Sequence, residues 1–360
     1  MMRVVLSLVL AVAGLEAAEL LPAGTPELRQ PQLAAAYGQV ALAYGSGSTI
    51  WFASSPDGGK TFAPRIRVAD TGALALGRHR GPRLTILPDA ILITAVVGED
   101  VSKAEHAHGL PDQGDLTVWR SVDRGKTWTR TGIINDTHGA SSEGLHAIAA
   151  DAKGNLFAAW LDLRTKGTKL YGSRSTDGGR TWSKNVLIYA SSDGTICQCC
   201  DPSIAIDANG QISVMWRNAL AGSRDLYLTR SADGQHFSAA EKLGNGTWKI
   251  DACPMDGGGI AIDHGQLVTA WRRGTEIFVD RPGAPETRLA EGKDVAIAAG
   301  SKGMYVVWSD SQGIEALSPG AKAPVRVADE GGFPALTALT DGSALAAWEE
   351  KGSIRVEKLP

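Results

Sequence analysis

Ser175-Thr-Asp-Gly-Gly-Arg-Thr-Trp182 is one of four copies of a short turn motif in this chain. The others are Ser54-Ser-Pro-Asp-Gly-Gly-Lys-Thr-Phe62, Ser121-Val-Asp-Arg-Gly-Lys-Thr-Trp128 and a shortened copy, Ser231-Ala-Asp-Gly-Gln-His-Phe237. Each reads Ser-x-Asp-x-Gly-x-Thr-aromatic, with the last copy degraded. Asp and Gly suit a tight turn between strands, and a Ser or Thr hydroxyl can bond the turn backbone. The aromatic then plugs the hairpin onto a core. Four copies, each after a strand-like run, point to a repeat architecture.

A second period runs independently of the turns. β-like segments ending in an aromatic close at Tyr44, Trp160, Trp216, Trp271, Trp308 and Trp348, and Ile91 to Val97 fills the remaining place without one. Each is preceded by a short strand and a Gly, Asp or Asn turn, and followed by a third strand. This counts seven four-strand units, starting near Leu33, Arg83, His146, Pro202, Gly258, Asp294 and Pro334. The last unit has room for three strands, and the segment from Leu20 to Gln30 is the candidate for the fourth. The expected fold is all-β, a single propeller of seven four-stranded blades, with six blades plus an extra hairpin as the alternative count. The turn motifs are expected between strands 3 and 4. Ring closure leaves no long unpaired edge.

The repeated turn resembles the Asp-box (BNR) repeat of sialidases and related propellers. The resemblance covers most of the chain as architecture and implies a glycan-directed protein, with exo-sialidase as the candidate activity. Sialidase chemistry implies three arginines on the substrate carboxylate, an Asp acid/base and a Tyr nucleophile. Arg80-Gly-Pro82 looks like the entry strand that supplies the first arginine, with Arg83 beside it. Arg224, with Arg217 as runner-up, matches the second, and Arg272 or Arg273 the third. Asp100 or Glu99 falls near the acid/base loop, and Tyr44 is the tyrosine nearest the functional face. That tyrosine lies early in the chain, where the family pattern has it late.

In a four-stranded blade, the loops joining strands 2 and 3 share one face with the connectors between blades, and the repeated turns lie on the other. All four cysteines and five of the seven histidines, His79, His106, His108, His138 and His146, map to the connector face. Ile196-Cys-Gln-Cys-Cys-Asp-Pro-Ser203 and Asp251-Ala-Cys-Pro-Met-Asp-Gly-Gly258 occupy equivalent connectors of adjacent blades, so contact between them is expected. The pattern also resembles an exported sialidase-like subgroup with the same cysteine spacing. Three readings stand side by side. Two disulfides follow from an even cysteine count in an exported protein, with Cys197–Cys200 and Cys199–Cys253 as one connectivity. A soft metal site would use Cys197, Cys199, Cys200, Cys253, Met255 and a nearby His146 or His79, with copper ahead of zinc. A redox-active disulfide is the third. The function classes follow suit: a glycan-directed sialidase-like protein, an exported metal-binding or redox propeller, or a non-catalytic binding propeller stapled by its cysteines.

The N-terminus reads as a signal peptide over residues 1–18, with Arg3 as charged start, an apolar stretch from Val4 to Leu15 and small residues before a cleavage point near Ala17 or Ala18. The mature protein, 19–360, is therefore expected outside the cytoplasm, secreted or periplasmic, as one domain. No apolar run is long enough for a membrane span. Net charge is -3 with no basic cluster, which argues against nucleic acid as partner and leaves a glycan or glycoconjugate.

Overall fold

The computed structural model describes residues 27–99, 110–281 and 283–359. It is an all-β ring of seven antiparallel sheets, and no helix occurs among the described residues. Blade 1 spans Leu28–Asp70, blade 2 Arg83–Ile133, blade 3 His146–Tyr189, blade 4 Ser203–Lys242, blade 5 Gly259–Glu291, blade 6 Lys293–Ala328 and blade 7 Gly332–Leu359. The first six have four strands in sequential order, and blade 7 has three. The seven-bladed count and the strand assignments follow the sequence reading, with the starts of blades 2 and 3 coinciding and the others displaced by one to five residues.

One expectation is corrected. Leu28–Gln30 do not add a fourth strand to blade 7; they begin the first strand of blade 1, where Leu28 pairs with Ser46. The remainder of the proposed closing segment, and the leader-like N-terminus, lie outside the described residues. The same strand nevertheless ties the ring shut. The Leu28 amide donates to the Gly352 carbonyl at 2.8 Å, and the Gln30 amide to Glu349 Oε1 at 2.7 Å. Leu28, Leu33, Leu42 and Tyr44 pack against Leu339, Leu345, Ala347 and Ile354 of blade 7.

The aromatic that ends each second strand is core. Tyr44, Trp160, Trp216 and Trp308 are fully buried, and Trp271 and Trp348 nearly so. Burying each such ring removes roughly 150–250 Å² of surface from water, so these residues dominate the packing between blades.

The four turn motifs join strands 3 and 4 of blades 1 to 4 and share one bonding pattern. In blade 3, Ser175 Oγ accepts from the Gly179 amide at 2.9 Å, and the Asp177 carboxylate accepts from the Thr181 amide at 2.9 Å and the Thr181 hydroxyl at 2.6 Å. Asp57 and Asp123 repeat this with Thr61 and Thr127, and those hydroxyls hold both carboxyls down at about 2. The motif aromatic reaches the preceding blade: Trp128 packs edge-on against Phe52 at 5.1 Å and Phe237 lies 5.8 Å from Phe157. The motif glycine presses on the same neighbour. A Cβ on Gly125 would sit 2.1 Å from the Phe52 ring, and one on Gly179 2.2 Å from Leu92. Both glycines also have positive φ, 85° and 79°. The box is thus an inter-blade clamp as well as a turn.

Candidate functional site

The first strands of all seven blades surround the ring axis and enclose a cavity of about 230 Å³. Its walls are mostly small or aliphatic, including Ala147, Ile204, Ile260 and Ile297, and its polar lining includes His79, Arg83, Asp201 and Asp294. The two aspartates come from connectors that the chain pattern brings to one face. Two lining residues, Gln30 and Phe333, carried no assignment from sequence.

The strand entries at this cavity depart from regular β geometry. In blades 1, 6 and 7 the pairing register jumps between Arg29 and Gln32, Lys293 and Ala296, and Gly332 and Ala335. Two residues on the first strand then oppose one on the second, and that one is the core aromatic Tyr44, Trp308 or Trp348. The first residue of each bulge, Gln30, Asp294 or Phe333, has φ between 51° and 55°. His79 and Met255, in the connectors of blades 2 and 5, have φ of 67° and 55°. Non-glycine residues rarely occupy this region, and bulges and strained positions gather where side chains must be re-aimed. A sequence trace of these entries exists in hindsight. Gln30-Pro31, Gly81-Pro82, Asp201-Pro202 and Phe333-Pro334 all mark the start of a first strand, where proline's missing N–H is tolerated.

His79 is the hub. Its Nε2 lies 3.0 Å from Asp294 Oδ1, and its ring meets Phe333 edge-on at 5.3 Å between centroids. Burial disfavours the imidazolium, but the charge of Asp201 and the bond and charge of Asp294, with Asp256 behind, raise it to about 9. His79 is therefore a cation at neutral pH. Asp294 is buried, which opposes ionisation, yet the His79 bond and charge hold its carboxyl below the usual range. Its other oxygen accepts from Ser309 Oγ at 2.9 Å, and its amide donates to Asp256 Oδ2 at 2.9 Å. Asp256 is buried and shifts the other way, through burial and the Asp294 charge. Arg83 donates to the His79 carbonyl and faces Asp201 at 3.8 Å. Asp201 Oδ1 and Asp256 Oδ1 are buried with no hydrogen-bond partner. Buried polar atoms are seldom left so.

Of the six candidate arginines, Arg83 alone lines this cavity. Arg80 is buried, donating to the Glu143 carbonyl at 2.6 Å and pairing with its carboxylate at 3.6 Å. Arg217 is 1% exposed and spends its guanidinium on three backbone carbonyls, those of Asp256, Arg224 and Arg272. Arg273 forms a two-bond pair with Glu286 at 2.8 and 2.7 Å. Arg272 lies over Trp248 and donates to the Gly274 carbonyl, and Arg224 is half-buried in the cleft beside the same indole. The expected three-arginine grip is thus not assembled at the axis; four of the six guanidiniums serve structure. Tyr44 is fully buried between blades 1 and 7, where it is the blade-1 member of the core aromatic series. Glu99 is exposed at the end of the second strand of blade 2, and Asp100 lies outside the described residues, as do His106 and His108.

The cysteines do meet. Cys199 and Cys253 form a disulfide that joins the connectors entering blades 4 and 5, with Cα atoms 6.2 Å apart. Cys197 and Cys200 are buried thiols whose sulfurs are 3.3 Å apart, and Cys197 Sγ is 3.7 Å from Cys199 Sγ. The Cys200 hydrogen bond outweighs burial and lowers Cys197 to about 7, while burial pushes Cys200 far up. Met255 packs on the sulfurs and accepts a hydrogen bond from Arg78 at 3.3 Å. Neither candidate histidine joins them: His79 bonds Asp294, and His146 is buried and neutral against Thr94 Oγ1 at 3.0 Å. The connectors approach so closely that a Cβ on Gly257 would stand 1.9 Å from the Asp201 carbonyl.

No protein-family model matches the sequence, and no curated protein matches it either. Solved structures do resemble the fold. A PL25 ulvan lyase bound to a GlcA–Rha3S unit superposes with a TM-score of 0.58 at 12% identity, covering 92% of this chain and 93% of the lyase. The GH93 α-L-arabinofuranosidase of Fusarium graminearum with arabinobiose gives 0.59 at 14% identity, covering 95% and 96%. The Penicillium chrysogenum α-L-arabinanase with arabinobiose gives 0.58 at 16% identity, covering 93% and 96%. At such identities the likeness is one of fold, that of the β-propeller.

Proposed function

We propose that this protein is a glycan-directed propeller that takes one sugar unit at the axial cavity, with cleavage of a glycosidic bond as the candidate reaction. The observation that carries this reading is the convergence of Asp201, Asp294, His79 and Arg83 on that cavity. Its volume is below the roughly 300–1,000 Å³ of sites for drug-sized ligands, which suits a single ring better than a chain. Two carboxylates flanking a sugar are what glycoside hydrolysis usually requires. Arg83 supplies a planar donor for hydroxyls or for the carboxylate of an acidic sugar. Glycan-acting proteins of the same fold support the class of ligand.

Exo-sialidase activity is the finer form of this reading. It would rest on Arg83 as the carboxylate contact, with Asp294 in place of the expected Asp100 and without Tyr44 as nucleophile. The leader-like N-terminus supports export, secreted or periplasmic, where such a substrate would be met.

The test is a release assay over sialosides, uronic-acid polysaccharides and arabinans, paired with a binding measurement on the same panel. Wild-type protein should release sugar from one class, and Asp294→Asn should lower kcat by at least about 100-fold while binding persists. A folded wild-type protein that neither binds nor cleaves any of them overturns the proposal. Binding without release in wild type would establish the non-catalytic form.

A further inference from the structure

We infer that the sulfur cluster between blades 4 and 5, when reduced, is a copper(I) site built from the thiolates of Cys197, Cys199 and Cys200, flanked by Cys253 and Met255. This does not rest on the glycan reading, although Asp201 and Asp256 make the two sites neighbours along the chain.

The spacing of the sulfurs is the first argument. Cys197, Cys199 and Cys200 are separated by 3.7, 3.3 and 4.0 Å. Ligands about 2.3 Å from one metal lie about 3.8 Å apart in a tetrahedron and about 4.0 Å apart in a trigonal plane. Cys253 adds a fourth sulfur, with Cys197, Cys199 and Cys253 all within 4.8 Å of one another.

The arrangement also disfavours in-line attack by Cys197 on the Cys199–Cys253 disulfide. A thiolate displaces along the axis of the bond it breaks. With an ordinary S–S bond of about 2.05 Å, an attack in line with Cys199–Cys253 would set Cys197 roughly 5.7 Å from Cys253. The observed separation is no more than 4.8 Å. Cys197 therefore sits to the side of the Cys199–Cys253 bond instead of in line with it.

The surroundings suit a soft, singly charged cation. Thiolate and thioether donors select copper(I) over harder ions. Arg78 on Met255 and the buried Arg217 nearby offset the negative charge that three thiolates carry. The connector is anchored by the Cys197 amide on the Arg217 carbonyl at 3.2 Å.

The Cys199–Cys253 disulfide is then the closed form that withholds one ligand. Opening it takes two electrons and two protons from an external dithiol, which itself becomes a disulfide, and leaves two thiols. Copper(I) displaces the thiol protons as it binds.

The experiment uses full-length protein reduced with a phosphine under anaerobic conditions. Copper(I) is titrated against a chromogenic copper(I) chelator, with thiolate-to-copper absorption as a second readout. One equivalent should be retained. Cys200→Ser and Cys197→Ser should each weaken retention by more than the 10–100-fold typical of losing an outer-shell partner. Oxidised wild type, with the Cys199–Cys253 bond intact, should bind far more weakly, and this arm needs no substitution that threatens folding. Failure of reduced, folded protein to hold copper against the chelator overturns the inference. So does retention unchanged in the Cys197→Ser/Cys200→Ser double variant, or retention of zinc in place of copper. Sugar release, measured separately, is unaffected by any of these outcomes.

Discussion

The two ends of the propeller are built on opposite principles. At the end carrying the repeated turns, each motif carboxylate is bonded within its own turn, and Gly59, Gly125 and Gly179 fit against the preceding blade with no space for a side chain. At the axial mouth the strands bulge, several non-glycine residues sit at positive φ, and buried carboxylate oxygens of Asp201 and Asp256 lack partners. One end is a repeated local solution that stabilises the ring. The other is irregular, differs from blade to blade and carries the buried ionisable groups His79, Asp256 and Asp294. Each motif carboxylate is closed within its own turn, whereas buried carboxylates with an unpartnered oxygen gather at the axial end.

The sharpest break of this contrast lies within single turns. Gly125→Val introduces a β-branched side chain at positive φ against the Phe52 ring. It should cost about 3–5 kcal/mol, lowering Tm by at least about 6 °C. Gly58→Ala, also at positive φ but with nothing within 4 Å, should cost only about 1 kcal/mol. Equal melting temperatures for the two would show that the glycine does not clamp neighbouring blades.

His79 sharpens the other end. Its folded-state value, about 9, lies above the ordinary 6.5, so its pairing stabilises fully below pH 6.5 and that contribution is lost as pH rises toward 9. The stability gap between wild type and His79→Gln should approach 3 kcal/mol at pH 6, as an upper bound, and shrink through that window. Denaturant titrations at pH 6 and pH 9 measure it. A gap that widens with pH would mean His79 is not held as a cation.

The smallest effect belongs to one clamp bond. Thr181→Val removes the hydroxyl donor to Asp177 and should cost about 0.5–1.5 kcal/mol by chemical denaturation, with no change in copper or glycan readouts.

Much of the architecture was legible because it repeats. The box turns and the terminal aromatics are local rules stated several times, and seven repetitions outweigh the ambiguity of any one strand. The site was legible only in part. Arg83 and His79 were named and do reach the axis. Asp201 and Asp294 were placed on the right face without a role, and Gln30 and Phe333 went unassigned. Tyr44 shows why resemblance misleads: its position in the aromatic series already marked it as core. Arg80, Arg217 and Arg273 have the residue type that a carboxylate grip needs, but their donors are consumed by backbone carbonyls or glutamates that lie far away in sequence or in other loops.

The chain by itself determined the repeat, favoured seven blades over six, and brought the two cysteine connectors to one face. These follow from local turn chemistry and strand periodicity, which act over a few residues. Tertiary structure alone decided which guanidiniums are spent, which carboxylates reach the axis, and that Cys199 bonds Cys253 while Cys197 and Cys200 stay thiols. Those outcomes depend on bulges that re-aim one side chain by a strand's width and on contacts between blades, where burial and charge act through space and leave no mark on residue spacing.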